Sequence, residues 1–119
     1  MRKQRLSPVF AALPTPVFAW ERLGDDLILV DYNAAAQDQT RGLVVELTGK
    51  TASFAYAAQP AVVRAMHAAL EGDAPIRQEI EYVMPTTGER RPLKITYTRA
   101  EPDLVLAFTE DLTEWQHAQ

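Results

Sequence analysis

The sequence contains no cysteine, and this absence excludes several kinds of chemistry. Without a thiol, the chain has no disulfide, no thiolate metal site, no cysteine nucleophile and no photochemistry that proceeds through a cysteine adduct. A lack of disulfides is typical of cytoplasmic proteins, and the cytoplasm is therefore the predicted location.

Long apolar runs are also missing, since no stretch approaches the roughly 18 residues that a membrane-spanning helix requires. The apolar segment after the basic start is interrupted by Pro8, Pro14 and Pro16, so it does not have the form of a secretory signal. We therefore expect the 119-residue chain to make no contact with a membrane.

Positive charge is scarce outside the first five residues. The chain has 12 Lys and Arg against 16 Asp and Glu, which gives a net charge of −4. Arg2, Lys3 and Arg5 account for three of the cations, so residues 6–119 hold 9 cations against 16 anions, a charge of −7. Because so acidic a surface repels phosphate backbones, nucleic acid is not an expected partner.

The composition that remains fits one globular domain, with 119 residues, 47% of them apolar and 24% charged. The first predicted element is an amphipathic helix within residues 1–13, which would cap the domain or take part in dimerisation. Ser7 is placed as its N-cap and Pro8 as its first helical residue. Its apolar face would consist of Leu6, Val9, Phe10 and Leu13.

A hairpin and a helical middle follow this helix. Two apolar segments, residues 17–20 and 27–30, predict strands joined by the turn residues at 24–26. Asn33 is placed to cap a short helix that Gly42 would end as its C′ glycine. Residues 43–58 have no sustained period and predict brief helical turns joined by loops. A clearer helix begins at Pro60 and ends before Gly72.

The last third of the chain predicts three more strands, at residues 76–84, 93–98 and 104–108. The first two alternate between apolar and polar residues, whereas the third is apolar on both faces, which is typical of a central strand. The whole order predicts an α+β fold in which one five-stranded antiparallel sheet carries short helices on one face. The opposite face of the last strand would then be covered by the N-terminal helix or by a second copy of the chain.

Six short motifs in this order resemble those of a PAS domain, the sensory module of bacterial signalling proteins. They are Leu13-Pro14-Thr15-Pro16-Val17, Asp31-Tyr32-Asn33-Ala34-Ala35-Ala36, Gly49-Lys50, Ala69-Leu70-Glu71-Gly72, Thr87-Gly88-Glu89 and Asp111-Leu112-Thr113-Glu114. The resemblance spans nearly the whole chain. It implies a five-stranded antiparallel sheet, a helical side that can enclose a ligand cavity, and a terminal helix that passes signals onward.

The end of the chain predicts the start of a helix. In Thr113-Glu114-Trp115-Gln116, the Thr113 hydroxyl can accept from the backbone N–H of Gln116, whose side chain can reach back, as in a capping box. We therefore assign residues 14–113 to the sensor domain and residues 114–119 to the start of an output helix. That stub is too short to be stable alone, so we expect an excised module, a docked stub or a frayed natural terminus.

A ligand pocket is the main candidate site. Its expected lining is mostly apolar with a few polar tips, from Tyr56, Met66, Tyr82, Tyr97 and Phe108. A noncovalent flavin, a fatty acid or a small organic acid would suit such a pocket, while the alternative is that these side chains fill a close-packed core. No cofactor is evident from the sequence, and the missing cysteine excludes a covalent flavin adduct.

Other polar residues have structural interpretations. Some PAS domains bind haem through a histidine of the helix that here holds His67, but their ligand lies earlier in that helix, so a structural role is expected for His67. His117 is expected to be exposed. Asn33 and Asp111 are expected to make capping and turn hydrogen bonds. Four cations could attract an anion, although their alternation with apolar residues favours a solvated strand face: Arg90, Arg91, Lys94 and Arg99.

The resemblance implies a homodimeric sensory module fused to an output domain, either a histidine kinase of a two-component system or a cyclic-dinucleotide enzyme. Asp111, Thr113 and Glu114 would form the signal junction. No enzymatic activity is expected of the module itself, because common nucleotide, metal and nucleophile motifs are absent. The alternatives are a ligand-free dimerisation scaffold and a small curved-sheet isomerase or hydratase, which would need a buried carboxylate of raised pKa.

Overall fold

The computed structural model describes residues 8–85 and 87–113 of the chain. In these residues, five strands alternate with short helices. The elements in chain order are α1 (Pro8–Ala11), β1 (Val17–Leu23), β2 (Asp26–Tyr32), α2 (Ala34–Gln39), a 3-10 helix (Leu43–Leu47), α3 (Ala52–Ala55), α4 (Pro60–Glu71), β3 (Ile76–Val83), β4 (Arg90–Glu101) and β5 (Leu104–Asp111).

The strands form one sheet in the order β2-β1-β5-β4-β3, and every neighbouring pair is antiparallel. The last strand therefore lies at the centre, as its apolar character on both faces predicts. Leu104 and Val105, on opposite faces of β5, are both fully buried. The predicted PAS-like α+β fold is confirmed.

The core lies between the sheet and the helices. Side-chain alternation along β5 turns Val105 and Ala107 towards the helices, where both join the hydrophobic core. From α4, Val62 and Met66 pack into the same core, as expected for residues four positions apart on one helix face. Complete burial of an aliphatic side chain of this size contributes about 1.5–3 kcal/mol.

Asn33 fastens the start of α2 to the segment that leads into β1, and its side chain is almost completely buried. Its Oδ1 accepts hydrogen bonds from the N–H groups of Ala36 and Val17, both at 3.0 Å. Its Nδ2 donates to the carbonyl oxygens of Thr15 at 2.8 Å and Leu13 at 3.4 Å. The predicted N-cap is confirmed, and the same amide also positions a segment 16 or more residues away in sequence.

The end of α2 differs by one residue from the sequence prediction. Arg41, rather than Gly42, takes the C′ position, with a positive φ of 55°. Its N–H donates to the Asp38 carbonyl at 3.2 Å, and the Gly42 N–H donates to the Gln37 carbonyl at 2.7 Å. This is a Schellman motif. Glycine is the residue expected at C′ because a left-handed conformation costs other residues about 1–2 kcal/mol.

Several strands are longer than predicted. β4 runs from Arg90 to Glu101 and β5 continues to Asp111. The apolar alternation stops earlier, but the backbone ladder does not, since its hydrogen bonds do not depend on the side chains.

Two predicted helices fall partly or wholly beyond the described residues. In the first, only Pro8–Ala11 is described as helical, and Leu6 and Ser7 lie outside the described part. The output helix at residues 114–119 lies outside it as well, together with every residue of the capping box except Thr113. Among the residues that the structure describes, no helix has the length and hydropathy needed to cross a bilayer.

Candidate functional site: a cavity and the end of the central strand

A cavity of about 20 Å³ lies between the sheet and the helices. This volume is enough for about one water molecule. Its wall is mostly apolar and includes aromatic and thioether side chains from Trp20, Tyr56, Met66, Tyr82, Met84 and Tyr97. A few polar side chains complete the wall, from Gln39, Thr40 and Thr109. The cavity therefore has the apolar lining and sparse polar groups of a small-molecule site.

Two tyrosines of the wall bond to each other. The hydroxyl oxygens of Tyr56 and Tyr82 lie 2.7 Å apart, and their ring centroids are 5.9 Å apart. The ring of Trp20 lies 5.8 Å from that of Tyr56, in a tilted arrangement. Burial raises the pKa of Tyr56 to about 12 and the pKa of Tyr82 well above its usual 10. Both phenols therefore keep their protons at neutral pH.

The third tyrosine of the wall is tied to the edge of the sheet. The Tyr97 hydroxyl donates to Gln78 Oε1 at 2.9 Å, and the amide of Gln78 donates to the Ala61 carbonyl at 3.3 Å. These bonds link β4, β3 and α4. Burial also raises the pKa of Tyr97.

The second part of the site is the end of β5, where the carboxylate of Asp111 accepts three hydrogen bonds. Its Oδ1 accepts from the N–H of Thr113 at 2.8 Å and from the Thr113 hydroxyl, while its Oδ2 accepts from Arg91 Nη1 at 3.3 Å. Burial alone would raise the pKa of Asp111, but the Thr113 hydrogen bonds and the positive charge of Arg91 outweigh it and lower the pKa. The carboxylate is therefore charged at neutral pH.

Arg91 extends this contact across the surface of the domain. Its Nε donates to Glu89 in the β3–β4 connection, and Arg41 Nη2 reaches the other Glu89 oxygen at 3.2 Å. A row of alternating charges therefore joins the end of α2, the β3–β4 connection and the end of β5. The hydrogen bond from Arg91 lowers the pKa of Glu89.

Thr109 connects the two parts of the site. It lines the cavity and stands two residues before Asp111 on β5. Its hydroxyl donates to Gln39 Oε1 at 3.0 Å, and its N–H donates to the Pro16 carbonyl at 3.1 Å. A structural change at the cavity wall near Thr109 therefore occurs two residues from Asp111, whose carboxylate binds Thr113.

A family model described as the PAS fold matches residues 10–117. The chain belongs to the PAS-fold family. Membership supports a signalling sensor, because PAS domains are generally sensory modules rather than catalytic ones. No curated protein matches the chain at a significant level.

Two solved structures share the fold of this PAS domain. An RNA-binding light-oxygen-voltage receptor matches with a TM-score of 0.71 and 15% identity, over 98% of this chain and 37% of the receptor chain. The PAS domain from Bordetella pertussis BvgS matches with a TM-score of 0.55 and 17% identity, over 92% of this chain and 89% of that one. The PAS domain therefore spans little more than a third of the receptor, and at these identities the likeness concerns the fold alone.

Of the five side chains predicted to line a pocket, the structure brings four together. Tyr56, Met66, Tyr82 and Tyr97 all line the cavity of the PAS domain. Phe108 does not, because alternation along β5 turns it to the opposite face, where it pairs in register with Val17. It lines a surface groove instead. In a strand that is apolar on both faces, the sequence does not indicate which set of alternating residues faces the helices. For this reason the prediction placed Phe108 on the wrong face.

The other candidate residues lie apart from the cavity. His67 is half-buried on α4 and does not contribute to the cavity wall. The four cations of β4 do not form one cluster, because alternation divides them between the faces. Arg91 binds Glu89 and Asp111, whereas Arg99 at the other end of the strand donates to the Leu70 carbonyl.

Sequence reasoning missed several members of this site. Trp20 and Met84 had an accessible signal, since each is a large apolar residue on a predicted strand or at its end. Gln39 and Thr109 had none, because a polar residue at the end of an element resembles any solvated residue until the register is known.

Proposed function

We propose that this PAS domain is the sensory and dimerisation module of a cytoplasmic bacterial signalling protein, with a histidine kinase or a cyclic-dinucleotide enzyme as its output domain. A small organic ligand in the cavity, or a change in packing between two protomers, shifts β5. The junction at Asp111 and Thr113 then transfers the shift to the helix that begins at Glu114. The ligand drives this step only by binding one arrangement of the strand more tightly than the other.

The contacts of Asp111 carry the proposal. Its carboxylate binds Thr113, the last described residue, and Arg91 on the neighbouring strand through separate oxygens. Any movement of β5 along β4 therefore changes the contact with Arg91 and carries Thr113 along with Asp111. Thr109 brings the cavity wall to within two residues of this point.

The outer sheet face supports the dimerisation part of the proposal. Four apolar side chains there are only partly buried in the single chain: Ile28, Val30, Leu106 and Phe108. Association of two copies through this face would remove apolar area from water. The same face would serve a scaffold that binds no ligand, so the two functions differ in the cavity and not in the dimer.

The experiment measures backbone hydrogen exchange with and without a ligand found by thermal melting, since a compound that binds only the folded chain raises its melting temperature. The reporters are the amides of Leu112 and Thr113, which donate to Pro92 and Asp111. We expect the ligand to change exchange at both reporters by several-fold. The amide of Arg22, bonded to the Asp103 carbonyl at the other end of the sheet, should not change.

Arg91→Gln provides the matched variant, because it removes the charge that holds Asp111 and leaves the cavity wall intact. The ligand should still raise the melting temperature of this variant, while the response at Thr113 is lost. An unchanged response in the variant, or a bound ligand that leaves both reporters unaffected in the wild type, would rule out the relay. A chain that binds no compound and still forms a tight dimer would favour the scaffold.

A further inference from the structure

The Tyr56–Tyr82 pair has one hydrogen-bond donor more than it uses. Each phenol has a single O–H, and the bond between the two oxygens consumes only one of them. Among the described residues, the remaining O–H has no acceptor. The two side chains are 6% and 8% exposed, so water outside the protein does not reach them freely. An unmade hydrogen bond at such a buried donor costs about 1–3 kcal/mol.

The other hydroxyl groups of the cavity wall already donate to acceptors within the protein. The Tyr97 hydroxyl donates to Gln78, and the Thr109 hydroxyl donates to Gln39. The Thr40 hydroxyl donates to the Ala36 carbonyl at 2.9 Å. Among the described hydroxyls of the wall, the spare donor of the tyrosine pair is therefore the one that requires an acceptor from outside the protein.

The uncharged wall of the cavity restricts which molecules can bind there. None of the described residues that line the cavity is Asp, Glu, Lys, Arg or His. A charged molecule would lose its hydration there without gaining an opposite charge, and this loss is far costlier than the loss of hydration by a neutral polar molecule. The elevated pKa of Tyr56, about 12, keeps its phenol a neutral donor at physiological pH.

The size of the cavity further restricts which molecules can bind. A volume of about 20 Å³ admits little more than a water molecule without rearrangement. Met66 and Met84 both line it, and methionine side chains repack readily around an irregular occupant. A molecule of a few heavy atoms is therefore within reach, whereas a flavin or a haem would require the core to open.

We propose that the cavity binds a small uncharged molecule, such as a short-chain ketone, whose oxygen accepts the spare hydrogen bond of the Tyr56–Tyr82 pair. This assignment rests on the proposed sensory function for its biological use, because it names the class of ligand that the sensor would detect. It differs from the organic acids and fatty acids suggested by the sequence, since their carboxylates would enter an uncharged wall.

The test compares three probes of similar size and shape: acetone, isobutene and acetate. Binding is followed by nuclear magnetic resonance titration of the backbone amides of Tyr56 and Tyr82. Acetone should bind about tenfold more tightly than isobutene, because a net hydrogen-bond contribution of about 1.4 kcal/mol corresponds to a tenfold difference in affinity. Acetate should leave these amides unchanged at the concentrations at which acetone saturates them.

Phenylalanine variants isolate the hydroxyls. Either oxygen can be the donor within the pair, so Tyr56→Phe and Tyr82→Phe should each leave one O–H that still binds acetone. The double variant should lose the tenfold preference over isobutene. It should remain folded, because replacing both partners of a buried hydrogen bond by apolar groups of the same shape is nearly neutral. Tyr97→Phe is the matched control and should keep the preference, since its hydroxyl is already bonded to Gln78.

Three results would overturn the assignment: equal affinities for acetone and isobutene, a preference that persists in the double variant, or no binding of any probe, in which case the cavity holds water only. Each is separate from the test of the relay. If acetone binds as expected and the amides of Leu112 and Thr113 do not respond, the relay is wrong and the ligand class stands.

Discussion

Gln59 holds Val83 through two hydrogen bonds that imitate a neighbouring strand. The side-chain Nε2 donates to the Val83 carbonyl at 2.6 Å, and Oε1 accepts from the Val83 N–H at 2.9 Å. Val83 is the last residue of β3, the outermost strand on that side of the sheet. A single side chain therefore satisfies backbone groups that an edge strand otherwise exposes.

Replacing Gln59 with alanine should lower the free energy of unfolding by about 1–2 kcal/mol, because both hydrogen bonds are lost and β3 is released from the start of α4. Urea denaturation monitored by circular dichroism measures the effect. Gln37→Ala, at an exposed position of α2, is the control and should change stability by less than about 0.5 kcal/mol. Similar losses in both variants would contradict a specific role for the clamp.

The left-handed backbone conformation of Arg41 predicts that replacing this residue with glycine or with alanine will have different effects on stability. Arg41→Gly relieves the conformational cost at φ 55°, whereas Arg41→Ala keeps it, and both lose the exposed ion pair with Glu89. The glycine variant should therefore be more stable than the alanine variant by about 1 kcal/mol. Thermal melting of the pair measures this difference directly, and a more stable alanine variant would show that the strain is absent.

Asp111→Asn should destabilise the chain at pH 7 by less than about 1 kcal/mol, since its contacts with Arg91 and Thr113 are partly exposed. The pKa of Asp111 is lowered in the folded chain, so its contribution is present above the unfolded value of 3.8 and is lost as the pH falls through the lowered value. The difference between wild type and variant should therefore shrink below pH 3.8. Glu110→Gln, at the exposed neighbouring position, is the control and should change stability at pH 7 by less than about 0.5 kcal/mol.

The buried tyrosines predict a loss of stability at high pH. Below pH 10 the phenols are protonated in both states, and between pH 10 and about 12 the unfolded chain releases a proton that folded Tyr56 retains. The free energy of unfolding should fall in that interval by about 1.4 kcal/mol per pH unit for each such tyrosine. Urea denaturation at several alkaline pH values checks this, and Tyr56→Phe should show a shallower decline. Parallel profiles for the two proteins would contradict a raised pKa.

The number and order of strands, the central place of β5 and the cap at Asn33 could be predicted from the sequence. They depend on hydrophobic periodicity and on local hydrogen bonds, and both can be recognised within short stretches of consecutive residues. The lining of the cavity could be predicted only in part. Tyr56 and Tyr82 are distant in the chain, and their contact depends on how α3 and β3 pack together.

The position of Phe108 and the bonding of Arg91 show what periodicity leaves open. A pattern of alternate residues defines two faces, but the face that meets the helices is set by the register with β1 and β4. Likewise, the double contact of Gln59 with Val83 depends on tertiary geometry over 24 residues of separation. No local signal distinguishes such a glutamine from one that faces water.

The central position of β5 also determines when this domain can be completed during synthesis. Within the sheet, β5 lies between the β1–β2 hairpin and the β3–β4 hairpin. The two hairpins are therefore joined in the sheet only through this strand. Each hairpin can form as soon as it leaves the ribosome, yet they remain two separate ribbons until residues 104–111 emerge and join them. A nascent chain arrested before that point would expose both inner borders to other nascent chains, which makes this interval the one most prone to aggregation.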